Sequence, residues 1–261
     1  MVSDNLKALY EKLPSAVKLV AVSKFHPVSR LMEAYEAGQR VFGENRPQEL
    51  AQKVPQMPSD VEWHFIGHLQ TNKLKLVLPY VSLVQSVDSF HLLEAIDKWG
   101  RDNGKTVDIL LELHLGAEET KHGFSEEEIL AVIEAGEGIY PETVASRPLP
   151  PQAAGPSLLC GRGWPQVSGQ TPSPAGVKPP LENVRIRGLM GMATNTEDEA
   201  VIEADFARIE ALFRRIRAEH PERRDTFTEL SIGMSGDWPI AVRHGATMVR
   251  LGTDIFGERE Y

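Results

Sequence analysis

Lys24 closes an apolar run, LVAVS, and is followed by the turn-like FHP. An ammonium carried to the mouth of a low-dielectric interior gives up its charge more readily, because burial disfavours the ionised form. A neutral lysine amine can add to an aldehyde and hold it as an imine; a strand-end lysine that only reaches solvent does not. Two later stretches, SIGMSGD (231–237) and RLGTDIFG (250–257), gather small and hydroxyl-bearing residues suited to an anion. Backbone N–H groups, hydroxyls and the amino end of a short helix can together hold a phosphate. Gly233, Gly236 and Gly252 would let the backbone come close, since they carry no side chain. Each loop alone reads equally well as an ordinary turn, but the two facing Lys24 form one candidate site.

Arg250 lies one alternation before Gly252, so it is expected to point inward. It could be a structural ion-pair partner. Opposite a pyridine nitrogen, its permanent charge would keep that nitrogen unprotonated and weaken the ring as an electron sink. Asn45, after FGE, could bond a ring substituent or serve only a turn. His64 and His68 have the spacing of helical metal ligands, but WHFIGH reads as a strand entering a turn, so zinc is not expected. No CxxC, HExxH or acidic calcium loop is present, and no metal dependence is expected. His68 and the run HLQTNK (68–73) are placed at the mouth of the cavity.

The elements that must position these residues follow from short runs rich in Val, Ile and Leu, each succeeded by helical spacing, which is the pattern of parallel β/α units. Strand candidates are 17–23, 40–45, 62–68, 81–87, 107–115, 184–190, 227–234 and 247–252, eight in all. Helical stretches fall at 28–37, 47–54, 70–78, 89–101, 125–135, 197–219 and 237–244. The first strand-to-helix turn reads AVSKFHP and lacks a glycine-rich dinucleotide fingerprint, so an α/β class chain closing as a single (β/α)8 TIM barrel over 1–261 is expected instead of a doubly wound sheet. The opening segment 3–13 is expected to form a helix covering the bottom of that barrel. Residues 137–181 break the rhythm, holding ten of the 18 prolines, and are expected to be a disordered insertion containing Cys160 and Trp164.

With 28 Lys and Arg against 37 Asp and Glu, the net charge of −9 argues against nucleic acid or acidic membranes as partners. A single cysteine and the lack of a basic-then-apolar leader point to the cytoplasm, and no apolar run reaches membrane-spanning length.

Five blocks, AVSKFHP (21–27), FGENRPQE (42–49), WHFIGHLQTNK (63–73), RGLMGMA (187–193) and the long segment 231–259, resemble the pyridoxal phosphate homeostasis protein family in order through nearly the whole chain. Members are similar to the alanine racemase amino-terminal domain. The resemblance implies that Lys24 forms the internal aldimine with pyridoxal 5′-phosphate and that Arg250 lies at the pyridine nitrogen. It implies further that Asn45 sits near the ring and that Ser231, Met234, Ser235, Gly252 and Thr253 surround the phosphate; Met190, at the end of the sixth strand, is a further cofactor-binding candidate. A non-catalytic carrier is implied, supplying apo forms of pyridoxal phosphate enzymes as a monomer or weak dimer. The alternative is an amino-acid racemase or decarboxylase, although the chain ends at Tyr261 with no β-rich second domain to provide an opposing acid and base. The family usually joins these units by a short connection, so 137–181 is a departure expected to leave the cofactor mouth untouched.

Overall fold

In a computed structural model that describes residues 1–116, 123–135 and 181–257, the apolar runs become eight strands. They are β1 (Lys18–Val22), β2 (Val41–Glu44), β3 (Glu62–Phe65), β4 (Leu83–Val87), β5 (Val107–Leu113), β6 (Val184–Gly191), β7 (Glu229–Ser231) and β8 (Met248–Leu251). Each pairs parallel with the next, and β8 returns to pair with β1, so the sheet closes as a (β/α)8 barrel. Closure removes every open sheet edge and buries both faces of each strand, which is why the runs are continuously apolar and not alternating.

The helices are α1 (Val2–Lys12), α2 (Val28–Glu36), α3 (Pro47–Lys53), α4 (Leu74–Val77), α5 (Phe90–Asn103), α6 (Glu126–Ala135), α7 (Glu199–Glu219), α8 (Trp238–Arg243) and α9 (Thr253–Phe256). Local chemistry sets their ends. Ser89 caps α5 by accepting from the Leu92 N–H, and the helix stops at Gly104 in the left-handed region. Asp198 caps α7 by accepting from the Ala200 N–H at 2.9 Å, and one stripe of α7 (Ile202, Phe206, Ile209, Leu212, Ile216) is buried. Pro47 opens α3, where its missing N–H has no intrahelical partner to lose.

The main apolar core lies between strands and helices, while a second, small cluster of Val20, Leu83, Leu110, Met190 and Met248 fills the barrel interior. Helix α1 departs from the expected position. It packs against α2 and α9, and the Asn5 side-chain amide donates to the Ile255 carbonyl at 3.0 Å. The helix thus stands in the ring around the barrel and does not cover its bottom, because its one apolar stripe (Val2, Leu6, Leu9) finds a matching groove beside α9. The 70–78 helix is a short 3-10 turn (Thr71–Lys73) running into α4, and α9 was not foreseen. Residues 137–180 of the proline-rich stretch, with Cys160 and Trp164, lie outside the described residues, as does Tyr261. None of the described helices is long and apolar enough to cross a membrane.

Candidate functional site

Lys24 occupies a tight turn at the carboxyl end of β1, closed by the His26 N–H donating to the Ser23 carbonyl at 3.1 Å. Phe25, the third residue of that turn, has φ 67°, the left-handed region that a type II turn requires and that glycine or asparagine normally fills. A bulky residue held there costs on the order of 1–3 kcal/mol. Val20 packs inside the barrel and Val22 follows it at the two-residue spacing of one strand face, with the Lys24 turn directly beyond the strand. Strand β8 lies directly alongside, with Val20 opposite Arg250 and Ala21 opposite Leu251. A Cβ on Gly252 would sit 3.4 Å from the Val22 carbonyl oxygen, so the loop leaving β8 rests against the end of β1. Beyond it, the His26 ring stacks on Phe256 of α9 with centroids 4.6 Å apart.

Asn45 follows β2 at the same end, and its side-chain oxygen Oδ1 is buried with no hydrogen-bond partner among the described residues. Gly67 makes that placement possible: a Cβ there would fall 2.3 Å from the Asn45 carbonyl oxygen. The Gly67 carbonyl is held from the other side by the Ser86 hydroxyl at 2.5 Å.

Beneath the mouth runs a line of buried polar groups. Arg250 Nη1 donates to the Ser231 carbonyl and hydroxyl, both at 2.7 Å, and Nη2 donates to the Gly191 carbonyl at 3.0 Å. The Ser231 hydroxyl donates to Gln85 Oε1 at 2.7 Å, and Gln85 Nε2 meets His64 Nδ1 at 2.8 Å. Burial lowers the His64 pKa to about 3, with Lys18 adding to the effect, so this ring is neutral and accepts at Nδ1. Burial also pulls Arg250 down to about 10, against the opposing pull of Glu112 and Asp237, which leaves it charged at neutral pH. Glu112, on β5, is pushed up to about 7 by burial and by the Asp88 carboxylate, with Arg250 resisting. Asp88 is in turn bonded to His68 Nδ1 at 2.8 Å.

At the β7 and β8 corner, Gly233 adopts φ 94°, and a Cβ there would meet the Ala241 Cβ at 2.6 Å, so only glycine lets this loop turn against α8. Two carboxylates stand at the same corner. Asp237 accepts from the Met234 N–H at 2.5 Å, and Asp254 receives a hydrogen bond from Ser235. Burial raises the pKa of both acids.

The barrel end therefore brings Lys24, Asn45, Gly252 and Thr253 to one mouth, with Met234 exposed beside them and Arg250 buried beneath. Ser231 and Met190 lie lower, buried in the interior, where Ser231 supports Arg250. His64 belongs to the interior line and His68 to the rim. Sequence reasoning passed over Gln85, Asp88, Glu112 and Gly67. The signal available was a charged or amide residue inside an otherwise apolar strand run, as in LVQSV and ILLEL, which marks a side chain turned into the barrel.

The closed parallel barrel is matched by known proteins, and residues 1–146 match the alanine racemase amino-terminal domain family. A Haemophilus influenzae protein called pyridoxal phosphate homeostasis protein is 30% identical over 100% of this chain and 97% of its own length. PipY of Synechococcus elongatus, solved with PLP bound, superposes with a TM-score of 0.75 at 31% identity, covering 98% of this chain and 100% of that one. The chain belongs to the pyridoxal phosphate homeostasis protein family. Alanine racemase of Clostridium difficile, at 11% identity and a TM-score of 0.62, shares the fold.

Proposed function

We propose that this protein holds pyridoxal 5′-phosphate as a Schiff base on Lys24 and keeps it available to other enzymes instead of catalysing with it. The observation that carries this reading is the juxtaposition of the Lys24 turn with the Gly252 loop, since β1 and β8 are paired neighbours whose carboxyl ends meet. The residues present fit the cofactor: a buried, unpartnered Asn45 Oδ1 suits a hydroxyl donor on the ring, and a buried guanidinium suits a ring nitrogen. When bound, the cofactor supplies an electrophilic aldehyde carbon. Lys24 would be the residue that holds the group, its amine being the nucleophile that such a carbon accepts.

Arg250 would stand at the pyridine nitrogen as a fixed positive charge. That keeps the ring a poor electron sink and discourages carbanion chemistry. Ser235, Thr253 and the backbone around Met234 and Gly252 would hold the phosphate. Asp237 and Asp254 beside them temper its attraction, which suits a carrier that must release what it holds. Relatives named for pyridoxal phosphate homeostasis support this reading.

Borohydride reduction of the cofactor-loaded protein, followed by peptide mass analysis, should place one permanent adduct on Lys24, and Lys24→Ala should lose the visible absorbance while staying folded. Retention of that absorbance in Lys24→Ala removes Lys24 from the role. Stereochemical inversion of an L-amino acid, or carbon dioxide release, at useful turnover and lost in Lys24→Ala would make the protein an enzyme instead.

A further inference from the structure

A buried charge cluster packs against the Lys24 turn. Lys53, at the end of α3, has a side chain only 9% exposed. Its ammonium donates to the Ser23 carbonyl at 2.9 Å, to Glu44 Oε1 at 2.6 Å and to Glu49 Oε2 at 3.0 Å. Glu49 Oε2 also accepts from the Phe25 N–H at 2.9 Å, and Glu44 Oε1 from the Ser23 hydroxyl at 2.6 Å. The Arg46 guanidinium lies over the Phe25 ring, 4.4 Å from its centroid.

These bonds tie down both peptide groups that flank Lys24, the Ser23 carbonyl before it and the Phe25 N–H after it. They also fix the one non-glycine residue with positive φ among the described residues. Stability alone does not account for the arrangement, because burying ions is costly and a packed apolar substitute is often as stable. A strained backbone beside a reactive side chain is instead a mark of a position held for function.

We infer that Glu44, Lys53 and Glu49 are positioning residues that hold the Lys24 turn in the strained conformation from which its amine captures cofactor. The inference rests on the reading of Lys24 as the cofactor lysine. The carboxylates and ammonium act through the backbone and touch no cofactor themselves.

The test mixes cofactor-free protein with pyridoxal phosphate and follows the rate of absorbance growth, the dissociation constant and the borohydride adduct. Wild type is compared with Glu49→Ala, Phe25→Gly and the double variant, and melting is recorded without cofactor. Glu49 is part-exposed, so its replacement should fold; Lys53→Met would strand a buried carboxylate and serves only as a second arm. Glu49→Ala should slow capture about tenfold or more, as a small misplacement of a reacting group does. That penalty should shrink when residue 25 is glycine, which adopts positive φ freely. Unchanged capture rate and affinity in Glu49→Ala, whatever its melting temperature, overturns the inference, and so does an equal penalty in both backgrounds. A wild type that forms no adduct on Lys24 defeats the cofactor reading itself, a result separable from the others.

Discussion

At the scale of the residue, Glu112 is the most telling group in the barrel. It sits at the end of an apolar strand with Asp88 and Arg250 as its charged neighbours, and its carboxyl titrates at about 7 instead of near 4.5. Since the folded form holds this proton more tightly than the unfolded chain, the linkage runs one way: stability contributed by the neutral acid is present below the ordinary carboxyl value and lost as pH rises toward 7. Comparing urea denaturation of wild type and Glu112→Gln between pH 4.5 and 7.5 should show wild type losing on the order of 2–3 kcal/mol more across that interval. Parallel curves would mean that Glu112 is ionised throughout. Arg250 supplies the contrast, for its side chain was legible from alternation along β8, whereas its partners were not. The Ser231 hydroxyl that it bonds is shared with Gln85, 146 residues away, and no local pattern pairs such positions.

At the scale of the element, all eight strands and the longer helices were legible because apolar periodicity is a local property, and each fell within a few residues of its expected bounds. Strand ends were less so. The expected β3 continued to His68, but it stops at Phe65, since Gly67 turns the chain tightly against Asn45. Gly67→Ala should therefore do two things: destabilise the fold by about 1–3 kcal/mol through overpacking, and weaken pyridoxal phosphate binding by displacing Asn45. Urea denaturation and cofactor titration on the same variant check both; unimpaired binding would separate Asn45 from the ring. Helix α1 shows the other limit of local reading. Its stripe of Val2, Leu6 and Leu9 announced a helix with one buried face, but only the groove beside α2 and α9 decided where that face went.

At the scale of the whole molecule, a ligand bound only by the folded barrel must stabilise it by mass action. Pyridoxal phosphate at roughly a hundred times its dissociation constant should add about 2.7 kcal/mol. For a chain of this size that is a rise in melting temperature of about 5 °C or more, measurable by calorimetry. The rise should be much reduced in Lys24→Ala; an equal rise in both proteins would place binding away from the lysine. The amino-acid sequence by itself determined the number and order of the strands, the barrel class, and the lysine and glycine-rich loops of the mouth, because each is written in consecutive residues. Only the tertiary structure decided that Gln85 joins Ser231 to His64, that Lys53 reaches back to Ser23, and that Asp237 and Asp254 stand at the corner beyond β7 and β8. Closing the sheet and staggering its strands brings together residues far apart in the chain, and the free energy of burying them is a property of that shared interior, which no single segment contains.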